Sequence, residues 1–392
     1  MLLLQSILVY SLFAFLLWTF SKSVSPLHAG YAVNKGGVKG IPKQYWWCII
    51  VFTIVSGIRW DVGVDHTSYV SDYIDMCNGS FVVREWGMEL GFLYVSKVFA
   101  ELGLHYVFYM AFWAFLQIYF VIYAYKENKE VVPYILILIV LGGYYFSWMN
   151  GIRQNVVACF FLFFSQYIQK KKLWKYLLCV ALGYLIHSSA VILVPIFFLV
   201  YDKYVWNRTW VTISIFITCI IIGQTPMFVS QINNLDVLLS FIGYDYYSDL
   251  MDKFTDVSNF RSFNIGPRMI VNLVTYFICI LCYKQASKYY NSPYFDLVFK
   301  LYFIGVCWYC LFVNTLGIFL RPNYYFIIFA LPMTAYTLNY LCKMRRSLLY
   351  IVLLVTSLSF NYLSCYSDYK ETDLTERRSQ LYQFCFEHLD GK

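Results

Sequence analysis

The segment Gly151–Pro195 decides how this chain folds, and it reads GIRQNVVACFFLFFSQYIQKKKLWKYLLCVALGYLIHSSAVILVP. One apolar run begins at Arg153 and ends at lysines 170–172, and a second run leads from these lysines to His187. As α-helices the two runs would rise about 25 Å and about 22 Å, at 1.5 Å per residue. Arg153 and His187 would then lie at one membrane face, at similar depth. Two ionisable groups held there at the ends of adjacent helices predict a functional site.

The composition of the whole chain is that of an integral membrane protein. Of its 392 residues, 60% are hydrophobic, 21% are aromatic and only 13% are charged, whereas a soluble domain is about half apolar and a quarter charged. This predicts an all-α, polytopic helical bundle that forms a single transmembrane domain over residues 1–392. The net charge of +8 would suggest nucleic acid as the partner of a soluble protein, but here lysines that fix membrane topology explain it. We therefore expect membrane lipid, and no nucleic acid, as a partner.

About twelve apolar segments are candidates for membrane spans. They are 2–20, 45–58, 104–125, 131–149, 154–169, 174–187, 190–201, 209–224, 268–284, 296–316, 324–342 and 347–364. Several are shorter than the roughly 20 residues that a perpendicular helix needs, so some are expected to be short or re-entrant. The pair that meets at His187 is the shortest, and it forms either two spans or a re-entrant hairpin. In both cases its two ends return to the same side.

Charged residues are distributed unevenly over the segments that connect these spans. Fifteen of the nineteen lysines fall on one face, which the positive-inside rule makes the cytoplasmic face. Two long segments, 59–103 and 225–267, then belong to the outer face, together with an amphipathic C-terminal tail, 366–392. Twelve spans would place both termini on the outer face as well.

Arginine has the opposite distribution, because eight of the eleven arginines fall on the outer face. They are Arg59, Arg84, Arg153, Arg261, Arg268, Arg321, Arg377 and Arg378. Topology does not require positive charge outside, whereas a planar guanidinium binds phosphate or carboxylate through two parallel hydrogen bonds that lysine cannot reproduce. Ion pairing with the many outer carboxylates is the structural alternative, and the residues leave both interpretations open for any one arginine.

Two pairs of cysteines imitate a zinc site but are interpreted as packing residues. Cys279 and Cys282, and likewise Cys307 and Cys310, have the CxxC spacing. Both pairs fall inside apolar segments that lack polar groups to support a metal ligand. The outer segments also contain no DxD-like arrangement. The sequence therefore predicts neither a metal site nor a cofactor.

Five short motifs follow one another along the chain. They are R-x-x-x-G-x-D-x-x-x-Y at Arg59, Gly63, Asp65 and Tyr69; a glutamate–aromatic segment from Glu89 to Phe92; Ile152-Arg153-Gln154; Ile186-His187-Ser188-Ser189-Ala190; and Arg321 with Tyr324 and Tyr325. In this set and order, over about residues 45–340, the chain resembles the EpsG-like family of bacterial membrane polysaccharide polymerases, which are similar in role to the Wzy O-antigen polymerases. Ile186 stands where that family usually has an aromatic residue, and the middle loop does not align.

The resemblance implies a membrane glycosyltransferase that joins lipid-linked oligosaccharide repeat units into O-antigen, capsule or exopolysaccharide. A glycan carried on undecaprenyl pyrophosphate would pass to the terminal sugar of another lipid-linked unit, on the outer face of the bacterial cytoplasmic membrane. A chain-length regulator and a flippase would be further partners. The leaving pyrophosphate needs preorganised donors in a poorly hydrated site. Outer guanidinium groups can supply them in place of a cation, so we expect metal-independent chemistry.

The positions that match these motifs, with two further outer arginines, give a candidate set of site residues. His187 is the first candidate for the base that accepts the proton of the acceptor hydroxyl, because imidazole titrates near neutrality, and Asp65 is the second. The residues expected to bind substrate are Arg59, Arg153, Arg321, Arg268, Arg261, Glu89, Gln154, Tyr69 and Tyr325. Structural alternatives stay open: His187 caps the following helix, and Asp65 pairs with Arg59 to hold the turn.

Two other functions are alternatives at the level of sequence. A flippase for lipid-linked oligosaccharides, or another transporter, would carry charges near the membrane midplane and often has internal repeats. The apolar segments here are almost free of central charge and no repeat is evident. A membrane polysaccharide acyltransferase agrees with a histidine in an apolar segment, but not with the outer arginines.

Overall fold

A computed structural model describes residues 1–24, 40–82, 88–200, 208–233, 266–315, 317–371 and 379–387. Most of these residues are helical. The helices as far as residue 233 are α1 (Leu2–Lys22), α2 (Lys43–Gly57), α3 (His66–Cys77), α4 (Leu90–Glu101), α5 (Tyr106–Tyr125), α6 (Val132–Leu141), α7 (Tyr144–Asn150), α8 (Ile152–Phe164), α9 (Gln166–Gln169), α10 (Leu173–Ile186), α11 (Ile196–Leu199), α12 (Thr209–Gly223) and α13 (Pro226–Asn233). A 3-10 helix, Ser188–Leu193, lies between α10 and α11.

The described residues from 266 onward add six helices and one half of a small sheet. The helices are α14 (Pro267–Tyr290), α15 (Pro293–Phe312), α16 (Gly317–Leu320), α17 (Tyr324–Ile327), α18 (Ala330–Lys343) and α19 (Ser347–Lys370), with a 3-10 turn at Arg321–Asn323. Strand β1 (Arg59–Trp60) pairs antiparallel with β2 (Gln383–Phe384). Apart from this sheet, the described part of the chain confirms the predicted all-α fold.

Six helical segments of the described chain are long and apolar enough to cross a membrane. They are α1, α5, α14, α15, α19 and the segment Arg321–Lys343, and the bent pair α6–α7 adds a seventh if it counts as one span. The apolar segments α10, Ser188–Leu199 and α12 have between 10 and 17 residues, which is short of the roughly 20 needed to cross a bilayer perpendicularly. The protein is a multi-pass membrane protein, but the expected number of about twelve spans is not confirmed.

The bend between α6 and α7 is set by a pair of glycines. Gly143 has a φ of +80°, a conformation that residues with a Cβ rarely adopt, and a Cβ there would collide with the ring of Phe360. The axes of the two helices differ by 65° in direction. The helix α7 therefore leaves the line of α6 and carries Asn150 and Gly151 beneath the loop that follows α2.

The chain from α10 to α11 folds back on itself with His187 at the turn. The backbone of His187 is extended, with φ −153° and ψ 119°, and this ends α10. The hydroxyl of Tyr176 donates to the carbonyl oxygen of Leu193 at 2.6 Å, so the returning segment lies alongside α10. Because that segment, Ser188–Leu199, is shorter than a span, the arrangement favours the re-entrant hairpin over two full spans.

Lysine-bearing loops gather at one end of the bundle. Lys343, the last residue of α18, pairs with Glu130 at 2.7 Å. Lys22, the last residue of α1, lies over the ring of Tyr134 at the start of α6, with its ammonium 5.7 Å from the ring centroid. These segments were predicted to share the cytoplasmic face, and they do share one end of the bundle.

The start of α1, the loop after α2 and the C-terminal tail meet at the opposite end. Arg59 of β1 lies opposite Phe384 of β2, and the hydroxyl of Tyr10 donates to the carbonyl oxygen of Gln380 at 3.0 Å. An amphipathic tail was expected over 366–392. Its described residues, 366–371 and 379–387, contain the end of α19 and the short strand β2, whose backbone pairs with that of β1.

Two short helices, α3 and α4, lie at this same end and pack on α5. Phe92 of α4 stacks on Trp113 of α5, with 4.8 Å between the ring centroids. Tyr73 of α3 stacks on Tyr109 of α5 at 4.5 Å. Burying these large aromatic surfaces stabilises the position of both helices. It also fixes the place of Glu89, the residue immediately before α4.

Candidate active site

Glu89 joins three separate elements of the structure. Its Oε2 lies 2.5 Å from Nη1 of Arg153, at the start of α8, and its Oε1 lies 2.7 Å from Nδ1 of His187, at the end of α10. The backbone N–H of Ser188 donates to the same Oε1 at 3.1 Å. The two residues that the sequence placed at the ends of adjacent helices are therefore bridged by one carboxylate. We call Glu89, Arg153 and His187 the charged cluster.

A glycine allows the close contact that puts Glu89 in this position. Gly91, in the first turn of α4, packs against the end of α10, and a Cβ on it would lie 2.7 Å from the carbonyl oxygen of Leu185. Any larger residue would push α4 away from α10. The motif glutamate thus owes its contact with His187 to the glycine two residues later.

The charge of Glu89 follows from its partners. Burial by itself raises the pKa of this carboxyl, but the hydrogen bond from His187 and the charge of Arg153 outweigh burial and lower the pKa to about 2. A carboxylate can only accept hydrogen bonds, so Nδ1 of His187 carries the proton in their shared bond. In a neutral imidazole Nε2 is then the basic nitrogen. The His187 side chain is 19% exposed, which leaves it accessible to a ligand.

Aromatic rings hold the guanidinium of Arg153. Its Cζ lies 5.4 Å from the centroid of the Phe92 ring, and the hydroxyl of Tyr69 is within hydrogen-bonding range of it. Burial raises the pKa of Tyr69, although the Arg153 charge opposes this shift, so the phenol stays neutral. An arginine has five N–H donors, and the contacts with Glu89 and Tyr69 do not exhaust them.

Gln154 and Tyr325 belong to a second network, directly behind the charged cluster. The amide Nε2 of Gln154 donates to the carbonyl oxygen of Arg321 at 2.7 Å and lies 3.5 Å from the hydroxyl of Ser189. That hydroxyl is 2.8 Å from the hydroxyl of Tyr325. Gln154 and Tyr325 are buried, so in this structure they position Arg321 and the segment after His187. They were expected to bind substrate, and their contacts here are with the protein.

Asp65 lies among the arginines of the site. Its backbone N–H donates to Oδ1 of Asn150 at 3.1 Å, which ties its loop to the end of α7. The side chain is exposed. The surrounding protein nevertheless raises the pKa of this carboxyl by partial burial, while the charges of Arg321 and Arg153 oppose the rise. The arginines that act on Asp65 are thus Arg321 and Arg153, and not Arg59 as the structural alternative supposed.

Arg59 was expected to bind substrate, and the structure places it elsewhere. The side chain is 1% exposed, its Nε donates to the carbonyl oxygen of Val62 at 3.3 Å, and its Nη1 donates to that of Ser56. A buried guanidinium that hydrogen-bonds backbone carbonyls braces the turn. We therefore leave Arg59 out of the substrate-binding set and assign it to the support of the loop that carries Asp65.

The same loop depends on Gly63. Its φ is +95°, and a Cβ would lie 2.6 Å from the carbonyl oxygen of Met149. Its backbone N–H donates to the carbonyl oxygen of Ser379 in the tail at 2.8 Å. The glycine of the first motif therefore serves two purposes, since it forms the turn and lets the loop cross the end of α7 at close range.

Two further arginines were expected to bind substrate. Arg268 is half-buried at the start of α14, next to Met269, whose sulfur lies 3.9 Å from Nε2 of Gln224. Arg261 lies outside the described residues. Their part in the site stays a prediction.

Sequence reasoning missed Asn150, which accepts a hydrogen bond from the backbone N–H of Asp65 and, as a single polar residue at a helix end, carries no distinctive signal. Ser189 and Tyr324 belong to the motifs but were not named as site residues. Ser189 bonds the hydroxyl of Tyr325, and Tyr324 lies within electrostatic range of Arg321 and Asp65. His66 was also missed: burial and the Arg59 charge lower its pKa to about 3, so it stays neutral. Among the described residues, no group of three or more His, Cys, Asp or Glu side chains is arranged to hold a metal ion.

The fold and the site together define a class of protein. It is a multi-pass helical membrane protein with a partly buried arginine–glutamate–histidine cluster at one end of its bundle. A comparison with protein families finds that the EpsG family model matches residues 44–376. This is well over half of the chain, and the chain belongs to the EpsG family, as the motifs suggested. Comparison with curated proteins gave no match, and none was found among solved structures.

Proposed function

We propose that this protein polymerises lipid-linked oligosaccharide repeat units on the outer face of the bacterial cytoplasmic membrane. The reaction passes a glycan from undecaprenyl pyrophosphate to the terminal sugar of another lipid-linked unit, and builds O-antigen, capsule or exopolysaccharide. Family membership supports a membrane protein of polysaccharide biosynthesis. The observation that carries the finer proposal is the double contact of Glu89, with an anion-binding arginine on one oxygen and a histidine on the other.

In this proposal His187 is the base. The acceptor hydroxyl attacks the anomeric carbon of the donor glycan, the bond from that carbon to the pyrophosphate oxygen breaks, and undecaprenyl pyrophosphate departs. The hydroxyl proton passes to Nε2 of His187. Glu89 accepts the hydrogen bond from Nδ1–H, which keeps the ring in the useful tautomer and stabilises the imidazolium that forms. Such proton transfer typically contributes a rate factor of about 10² to 10⁴.

Arg153 and Arg321 bind the pyrophosphate. Its negative charge grows as the bond to the sugar breaks, and fixed guanidinium donors stabilise it most where water is scarce. Asp65 lies within the electrostatic range of both arginines, so it orients them before the substrate binds and serves as the second candidate base. The proposal needs no metal ion, which predicts equal rates with and without a chelator.

Purified protein and a defined lipid-linked repeat unit test the proposal. The wild type is expected to release undecaprenyl pyrophosphate and to form a ladder of chain lengths. His187→Ala and Arg153→Ala should leave single repeats in well-folded protein, with rates reduced by a factor of about 10² or more. His105→Ala and Arg208→Ala are matched controls, since both side chains are exposed outside the charged cluster. Normal ladders from both cluster variants would contradict the assignment.

Repeat units that fail to reach the outer leaflet in cells without the protein would indicate transport instead.

A further inference from the structure

A cavity of about 230 Å³ lies inside the helical bundle. It is formed where α6 and α7 separate at their bend, and residues of α14 to α19, with the 3-10 turn Arg321–Asn323, supply its other walls. Two amide side chains, Asn272 and Asn323, line it together with several hydroxyl groups. The described residues around it include no charged side chain. It is therefore an uncharged and largely apolar space with a few polar groups in its walls, and polar groups inside a membrane bundle mark substrate paths.

Asn323 is the residue that points to a ligand. It is 3% exposed, and its Oδ1 has no hydrogen-bond partner among the described residues. A buried carbonyl oxygen without a donor costs free energy, and proteins retain such a group where something else supplies the donor. Asn272, on the facing wall, is half-buried and offers a second amide with two donors and an acceptor.

The remaining walls fit a sugar ring better than other parts of the substrate. Tyr144, Tyr276 and Tyr309 are among the residues that line the cavity, and the apolar face of a sugar can pack on aromatic rings while its hydroxyls bond amides. A pyrophosphate would find no cation in the walls. A prenyl chain would leave the amides buried and unpaired, at the same cost that Asn323 already carries.

Tyr324 and α7 connect the cavity with Asp65 and Arg321. Tyr324 lines the cavity and lies within electrostatic range of Asp65 and Arg321. The helix α7 runs from Tyr144 in the cavity wall to Asn150, which holds the Asp65 loop. Its seven residues span only about 10 Å. A group in the cavity is thus close to Asp65 and Arg321.

We propose that this cavity is a subsite for one neutral sugar of the repeat unit, held by Asn323 and Asn272. Its role in glycan transfer rests on the proposed function, but its affinity for a sugar can be measured separately. The subsite fixes the position of the sugar ring while the pyrophosphate lies on Arg153 and Arg321.

The probe is the repeat-unit oligosaccharide released from the lipid carrier of the producing cells by mild acid. Its affinity for the full-length protein in nanodiscs is measured by titration calorimetry. Asn323→Leu and Asn272→Leu should each weaken binding about five- to ten-fold, the effect of one lost hydrogen bond. Asn323→Leu should keep or raise the unfolding temperature of the free protein, because it removes an unpaired oxygen. Asn339→Leu is the control, since this equally buried amide bonds Tyr290 near the lysine-bearing end.

Each outcome separates the subsite from the polymerase reaction. If the wild type does not bind the oligosaccharide, or if both amide variants bind as tightly as Asn339→Leu, the subsite is refuted. If binding depends on the two amides but the wild type forms no polymer from lipid-linked repeats, the subsite stands and the polymerase function fails. His187→Ala should bind the oligosaccharide normally while it fails to polymerise.

Discussion

Replacing Glu89 by glutamine tests the bridge on which the site depends. The change keeps the size of the side chain and removes its charge. Its effect follows from the pKa, which the contacts with His187 and Arg153 lower from 4.5 to about 2 against the effect of burial. Each unit of that difference corresponds to about 1.4 kcal/mol of stability, so the upper bound is about 3 kcal/mol. Solvent screening of the partly exposed pair reduces this to about 1–2 kcal/mol at neutral pH.

The direction of the pH dependence is fixed by the lowered pKa. The contribution of Glu89 is complete above about pH 4.5, the unfolded value, and is lost as the pH falls towards 2. Thermal unfolding of the purified protein, followed by tryptophan fluorescence, should therefore show Glu89→Gln less stable than the wild type at pH 7. The difference should shrink progressively below pH 4.5. Polymerisation should fall by a factor of about 10² or more, because the negative charge that stabilises the imidazolium of His187 and pairs with Arg153 is lost.

A second glutamate provides the matched control for this experiment. Glu130 also forms an ion pair at 2.7 Å, but its side chain is 59% exposed, and exposed pairs contribute about 0–1 kcal/mol. Glu130→Gln should therefore change neither unfolding nor turnover. Equal stability of Glu89→Gln and the wild type across this pH range would refute the reasoning about the charged cluster.

Three further predictions concern the loop after α2. In the wild type, activity that needs the Asp65 carboxylate should fall as the pH drops through its pKa, which lies above the ordinary 3.8. Asp65→Asn should remove this acid limb from the plot of rate against pH, and an unchanged limb would exclude a role for the carboxylate. Arg59→Ala should lower stability by about 2–4 kcal/mol and leave the KM of the folded fraction unchanged, whereas a raised KM would return Arg59 to the substrate site. Gly63→Ala should lower both stability and turnover because the new Cβ would collide with Met149. Gly79→Ala is the control: Gly79 has a similar positive φ but lies in open space, so turnover should be unchanged. Equal losses of turnover in the two variants would contradict the importance of the Met149 contact.

The pairing of Arg153 and His187 could be predicted because it depends on distance along two helices. Measured from lysines 170–172, the rise of the two helices places both residues at the same depth in the membrane. The bridge between them could not be predicted. It depends on α4 crossing α10 at Gly91, and that contact follows from aromatic packing between distant segments rather than from any local pattern.

The buried position of Arg59 could not be predicted from the sequence either. The sequence pattern of an arginine after an apolar run is the same whether its side chain points outward or folds back onto the carbonyl oxygens of its own turn. The number of spans is not confirmed for a related reason. Apolar composition marks each segment, but breaks such as Gly143 and His187 decide whether a segment crosses the bilayer or turns back. The cavity lined by Asn323 could not be predicted from the sequence, since its amides and hydroxyls come from helices far apart in the chain.

The side of the membrane on which the charged cluster lies is the most direct test of this account. Two native cysteines report on it, because Cys77, at the end of α3, and Cys342, beside Lys343, are both exposed at opposite ends of the bundle. Labelling of intact spheroplasts with a membrane-impermeant maleimide, with Cys77→Ala and Cys342→Ala to assign the signals, distinguishes the two ends. The account predicts that Cys77 reacts at once and that Cys342 reacts only after the membrane is opened. The reverse pattern would put the cluster in the cytosol and contradict polymerisation on the outer face.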